Sequence, residues 1–373
     1  MPGDIYLRLA KHLDQLPGGY PATESGVELR ILRRLFSEQE AELAIKLSPL
    51  PEEVEIIARR AGLPAAEAGQ RLESMAQKGL IFRLTRENRP VRYLASQFVI
   101  GIWEYHVNDL DVELIRDFNE YLPVLIDMKT WKKAPQLRTV PVNRSLEVDL
   151  GALPYENAVQ MVERHSRFVE APCICRREHH MIGEGCDKPE GCCLVMGVAA
   201  DYYEKNGLGR RITREEALGI LKKADEVGLV LQSSFSQKIS NICCCCGCCC
   251  QILLNVKKQS EPAALVASPF TVALDRETCI GCGVCERRCQ VDALRLEDDK
   301  AQVELRRCIG CGLCVTTCPS GALTLKRKPG RMQPDIPKDG VQAALRRAKA
   351  RGKMGRIRLV KSAARSISGL VKP

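Results

Sequence analysis

Apolar residues recur at steps of three and four over 28–36 (ELRILRRLF) and 38–47 (EQEAELAIKL), a spacing that predicts two amphipathic helices. Pro51, followed by acidic residues in PEEVEIIARR, predicts a third helix opening at the proline and broken by Gly62-Leu63-Pro64. A fourth, AAEAGQRLESMAQK, runs over 65–78 and stops at Gly79. The pattern then changes to short strands, LIFRLT and VRYLAS, on either side of Glu87-Asn88-Arg89-Pro90. Further along, Trp103, Tyr105, Trp131 and the aliphatics of LIRDFNEYLPVLI can build a core. Thr213 and Glu216 form a capping box for a helix over 214–226, ended by Gly228. His106 and His165 are isolated histidines on structural segments.

Helices followed by a hairpin, over 23–96, resemble a winged-helix domain. That resemblance implies nucleic-acid binding through the fourth helix. Against it, this helix offers only Arg71 and Lys78 as cations beside Glu67 and Glu73. Since non-specific nucleic-acid affinity depends on neutralising phosphates, a docking or packing role is favoured over nucleic acid.

The 373-residue chain has ordinary globular composition, with 45% hydrophobic and 27% charged residues, which excludes global disorder. The formal charge of +10 is local: residues 326–373 hold 15 Lys and Arg against 2 Asp and Glu. Within this tail, Ile357, Val360, Ala364, Ile367 and Val371 fall at helical steps between cations. Such a basic amphipathic segment suits an acidic protein face, an anionic membrane surface or nucleic acid, and equally a solvated tail. The first residues carry charges where a signal peptide needs an apolar core, so a cytoplasmic location is expected.

Twenty cysteines change the picture, all between Cys173 and Cys318. In a reducing compartment, crowded thiols read as metal ligands. Cys279, Cys282, Cys285 and Cys289 repeat, at an offset of 29, as Cys308, Cys311, Cys314 and Cys318, each run spaced C-x2-C-x2-C-x3-C. Three close cysteines on a glycine-bearing loop can wrap three irons of a cubane, and the fourth comes from elsewhere. Zinc, which usually takes two separated C-x2-C pairs, has no place for the third cysteine.

This stretch resembles the bacterial two-cluster ferredoxin family, which implies a small α+β unit over 271–326 with two [4Fe–4S] clusters. By that resemblance one cluster takes Cys279, Cys282, Cys285 and Cys318, the other Cys308, Cys311, Cys314 and Cys289. The family's proline after the fourth cysteine is kept as Pro319 but is Gln290 in the first run.

Twelve cysteines remain in a central domain over 97–270. They are Cys173, Cys175, Cys186, Cys192, Cys193 and, around Gly247, Cys243–Cys246 and Cys248–Cys250. Adjacent cysteines in extended chain face opposite sides, so the CCCC run can serve two sites, or ligate with alternate residues while the others face a core. The candidate ligands are Cys173, Cys175, Cys186, Cys193, Cys243, Cys245, Cys246, Cys248, Cys249 and Cys250, holding at least one additional iron–sulfur cluster, with zinc as the rival. Glu178-His179-His180 is a further ligand source, expected instead at the surface. PVNRSL, APCICR and ICCCCGCCC are similar to the central part of multi-cluster ferredoxin-like proteins. That pattern has a polar residue near position 244, so Cys244 is left out.

The expected fold is multidomain, mainly α with α+β: a winged-helix-like head (23–96), a Cys-rich central domain (97–270), a two-cluster ferredoxin domain (271–326) and a basic tail (327–373). The expected function is relay of single electrons to or from a redox partner, the chain not being an enzyme by itself. The alternative is a redox-responsive regulator built on the head.

Overall fold

A computed structural model describes residues 3–146 and 151–353. Helices and several small sheets alternate along the chain, a mixed α+β architecture. It divides into two compact units: one from the described residues of 1–134, 201–208 and 341–373, the other from those of 135–200 and 209–340.

In the first unit, helix Val27–Leu35 buries Val27, Ile31 and Leu32. Helix Glu38–Ala44 opens on a capping box, where Ser37 Oγ accepts from Glu40 N–H and Glu40 accepts from Ser37 N–H. The third helix does not begin at Pro51. Glu52–Glu53 are extended and pair with Arg92 and Tyr93, and the helix starts at Val54. Side chains explain this: Arg92 holds Glu53 at 2.7 Å and Arg60 holds Glu52, so both glutamates are tied sideways. Helix Ala65–Gln77 buries Ala68, Leu72, Met75 and Ala76. Strands Ile81–Leu84 and Arg92–Ala95 form the expected hairpin, with Ile81 opposite Ala95. Trp103 stacks on Phe118 at 3.7 Å, and Tyr20, Phe98 and Tyr121 surround them. Trp131 is buried under the Arg347 guanidinium, 5.5 Å from the ring centre.

In the second unit, six strands lie side by side in the order Leu137–Val140, Val230–Ser234, Asn241–Cys245, Gly191–Met196, Phe168–Pro172 and Arg210–Ile212, every pairing antiparallel. Apolar side chains from these strands, including Val140, Val169, Leu194 and Ile242, are buried. Helix Arg214–Glu226, capped by Thr213 and Glu216 as expected, packs on the sheet through Ala217, Leu221 and Ala224. Strand Phe270–Leu274 pairs with Leu323–Arg327, and Leu294–Glu297 with Lys300–Val303. Buried Asp225, at the end of the capped helix, ties these parts together: Arg288 and Thr316 donate to Oδ1 at 3.1 and 2.8 Å, and Arg144 to Oδ2 at 2.6 Å. Among the described residues, no helix is long and apolar enough to cross a membrane.

Part of the basic tail is already engaged. Arg327 ends a strand, salt-bridged to Glu156 at 2.7 Å. Helix Gly340–Ala350 carries Arg347, whose guanidinium donates to Ala134 O, and Arg351 and Lys353 bind Asp14 at 2.5 and 2.8 Å. The apolar series Ile357, Val360, Ala364, Ile367 and Val371 lies outside the described residues.

Candidate metal centres

The two repeated runs lie on tight loops before short helical turns. Gly281 and Gly310 have φ of +69° and +66°, and a side chain at either would collide with a carbonyl oxygen, of Asp299 or Phe270 respectively. This close wrapping turns backbone N–H groups toward sulfur. Ala301 N–H donates to Cys279 Sγ at 3.4 Å and Ala293 N–H to Cys289 Sγ at 3.1 Å. The Ala301 and Gly281 amides hold the Cys279 thiol below its usual range.

Cys279, Cys282, Cys285 and Cys318 together line one small cavity, closed by apolar Leu274, Val284, Leu296 and Leu323. Cys289, Cys308, Cys311 and Cys314 lie within electrostatic reach of one another. Burial pushes the Cys311 thiol up to about 12. Thiolates around a space, met by amide donors and apolar walls, fit a cluster whose sulfurs need hydrogen bonds and exclusion of water.

The twelve other thiols do not gather at one point. Cys186 joins Cys246, Cys248 and Cys249, whose four sulfurs all lie within 4.8 Å of one another. Three come from the turn at Gly247, and Cys186 from the loop after helix Ile174–Met181.

Cys173, Cys175, Cys193, Cys243, Cys245 and Cys250 form a second group with Cys192 at its end. Its hydrogen-bonded order is Cys192, Cys173, Cys175, Cys250, Cys245, Cys243, Cys193. Strand geometry places Cys193 directly opposite Cys243. Hydrogen bonds from neighbouring thiols hold Cys173, Cys243 and Cys250 well below their usual range. Cys175, Cys193 and Cys245 are pushed well above it, by the same neighbours and then by burial. Metal binding to such thiols requires their deprotonation.

Cys244 lies beyond Cys192 at the end of this string: its thiol bonds to Cys192, and its carbonyl receives Arg176 at 3.0 Å. Arg176 is fully buried and also donates to Cys192 Sγ and, at 3.5 Å, to Cys246 Sγ. A buried cation shared between the two groups offsets their thiolate charge. Neither Arg176 nor Cys192 was among the expected site residues, although Arg176 sits inside the APCICR motif, three residues after Cys173. Glu178 and His179 are buried, not at the surface as expected. Gln251 donates to Glu178 at 2.7 Å, and His179 Nδ1 donates to the Cys175 carbonyl at 2.7 Å.

The cysteine-rich turn touches the ferredoxin-like segment at its one departure from pattern. Gln290 Oε1 accepts the Gly247 N–H at 2.7 Å, and a Cβ on Gly247 would collide with the Gln290 carbonyl oxygen. Gln290 directly follows Cys289, so the two cysteine systems meet through adjoining residues. A cleft of about 290 Å3 reaches Cys192 past Glu170, Arg210, Glu216 and Lys223. Arg210 is bound to both glutamates at 2.9 and 2.8 Å, a structural arrangement.

Residues 272–325 match the family model of a 4Fe-4S dicluster domain. No curated protein and no solved structure matches the chain. The matched segment is a ferredoxin-type 4Fe–4S domain, and the protein binds iron–sulfur.

Proposed function

We propose that the protein is an electron-transfer component that relays single electrons through two [4Fe–4S] clusters, on Cys279, Cys282, Cys285 and Cys318 and on Cys308, Cys311, Cys314 and Cys289. At least one further cluster sits on the central thiols. The observation that carries this reading is the paired quartets inside the matched segment, one of them lining a single cavity. Contact between Gly247 and Gln290 supports a relay from the central thiols into the dicluster segment. Bound clusters supply reversible one-electron chemistry. Exposed Cys282 and Ile280 supply an edge where a redox partner in the cytoplasm docks.

Two observations favour docking over nucleic-acid binding by the winged-helix-like head. Arg71 is bound by Glu67, and Lys78 by Glu40, both at 2.5 Å, so the fourth helix presents cations already neutralised. The basic tail is proposed to strengthen attachment to an acidic partner face or an anionic membrane surface.

The test is full-length protein prepared anaerobically. Wild type should yield more than about eight irons and eight acid-labile sulfides, the content of two four-iron clusters. Stepwise reduction followed by EPR should show interacting one-electron centres. Replacing Cys279 and Cys282 by Ser should remove about four irons and four sulfides. Wild-type protein with no labile sulfide overturns the reading.

A further inference from the structure

The structure assigns Cys186, Cys246, Cys248 and Cys249 to a mononuclear tetrathiolate site, filled by one zinc ion and separate from any iron–sulfur cluster. Size decides this. With metal–sulfur bonds of about 2.3 Å, the edge of a sulfur tetrahedron around one ion is about 3.8 Å. The four sulfurs lie within 4.8 Å of one another, and Cys248 and Cys249 stand 3.9 Å apart. A cubane binds each thiolate to a different iron, so its four sulfurs are spread farther by the body of the cluster itself.

The chain contains its own comparison. Among the described residues, this is the only group of metal-binding side chains that converges so tightly. Cys279, Cys282, Cys285 and Cys318 instead stand around a cavity. The central group of Cys173, Cys175, Cys193, Cys243, Cys245 and Cys250 is a string of neighbours, again without that convergence.

The surroundings suit one tetrahedral ion. Four thiolates give a closed, structural type of coordination with no position for substrate. They leave a net charge of −2 around a divalent ion, partly offset by the buried Arg176 guanidinium 3.5 Å from Cys246 Sγ. His180 Nε2 donates to the Cys186 carbonyl at 2.7 Å and steadies the loop that brings the distant fourth ligand. The ion would clamp this loop to the Gly247 turn, and so fix the turn that rests on Gln290 beside Cys289. The assignment does not depend on the electron-transfer reading, since it counts zinc where that reading counts iron and sulfide.

The test uses full-length protein purified anaerobically with zinc and iron both present, and the variant Cys186→Ser/Cys248→Ser. Wild type should contain one zinc per chain. The variant should lose that zinc and keep its iron, its labile sulfide and its EPR signals. X-ray absorption at the zinc edge of the wild type gives an answer even if the variant does not fold: four sulfurs at about 2.3 Å are expected. Loss of about four irons and four sulfides from a soluble variant overturns the assignment. So does wild-type protein without stoichiometric zinc, or zinc bound by nitrogen and oxygen.

Discussion

Replacing Gly247 by Ala tests whether the cysteine turn and the ferredoxin-type segment are built as one packed junction. The new Cβ would lie 3.1 Å from the Gln290 carbonyl carbon and 3.3 Å from its Cα, and closer still to the oxygen. The obstacle is main chain and cannot swing aside. Overpacking of this kind costs about 1–3 kcal/mol. Moving the turn also strains the 2.7 Å bond from Gly247 N–H to Gln290 Oε1, a further cost of about 1 kcal/mol. At roughly 2–4 °C per kcal/mol for a body of this size, Tm should fall by about 5–15 °C. The assay is anaerobic thermal unfolding followed by near-ultraviolet circular dichroism and by loss of the cluster chromophore. Gly219→Ala is the control, because a Cβ there meets open space inside helix Arg214–Glu226, and helix propensity favours Ala by about 0.5–1 kcal/mol. Gln290→Ala should cost about 1–2 kcal/mol, the side-chain bonds to Gly247 N–H and the Arg288 carbonyl. Most of the Gly247→Ala penalty should persist in the Gln290→Ala background, since the clash is with backbone. Equal Tm for Gly247→Ala and wild type would refute the reasoning.

Arg176→Leu removes the buried cation beside Cys192 and Cys246, and the midpoint potential of the proposed central cluster should become more negative in an EPR-monitored redox titration, because the reduced, more negative state loses most. Arg351→Ala should destabilise the first unit by about 2 kcal/mol in denaturant titration, since its guanidinium serves Asp14 Oδ1 and the carbonyls of Asp14 and Leu16, and hydrogen bonds to charged groups are the stronger kind. Asp14 is held below the usual carboxylate range, burial being outweighed by Lys353, the Tyr20 amide and Arg351. Its contribution is therefore present at neutral pH and is lost as pH falls below about 4, a loss that Arg351→Ala should diminish. His106 is held below its usual range by burial, its Nδ1–H donating to the Ile102 carbonyl at 2.7 Å. The unfolded chain then binds the extra proton first, so stability should decline as pH drops below about 6.5, and His106→Gln should remove that part of the decline in pH-dependent unfolding curves.

The ferredoxin-type segment was legible because ligand spacing is a local property. A cluster fixes the separations of its own ligands, and the doubled C-x2-C-x2-C-x3-C runs carry that constraint in sequence. Helix ends were legible for the same reason where the cap is a side chain, as at Ser37 and Thr213. At Pro51 the local signal misled, because Glu52 and Glu53 pair as a strand with Tyr93 and Arg92 from later in the chain, and Arg92 also binds the Glu53 carboxylate. The six-stranded sheet was missed because its strands are short and separated by helices, so each looks like an apolar fragment, and their pairing is set by partners up to 97 residues away in the case of Leu137 and Ser234.

The partition of the central thiols shows what pattern and tertiary register each decide. Alternation along Asn241–Cys245 is enough to separate Cys244 from Cys243 and Cys245. Pairing with Gly191–Met196 opposes Cys193 to Cys243 and puts its neighbour Cys192 on the other face with Cys244 and Arg176, from where Cys192 still reaches Cys173. A slip of one residue would exchange those faces. Cys246 follows the end of the strand, where Gly247 turns the chain back and Gln290 anchors the turn, and this reversal brings Cys246, Cys248 and Cys249 to Cys186. The seven-cysteine run thus divides between two groups of thiols: strand alternation assigns Cys243 and Cys245 to one, the turn assigns Cys246, Cys248 and Cys249 to the other, and Cys250, beyond the turn, rejoins the first.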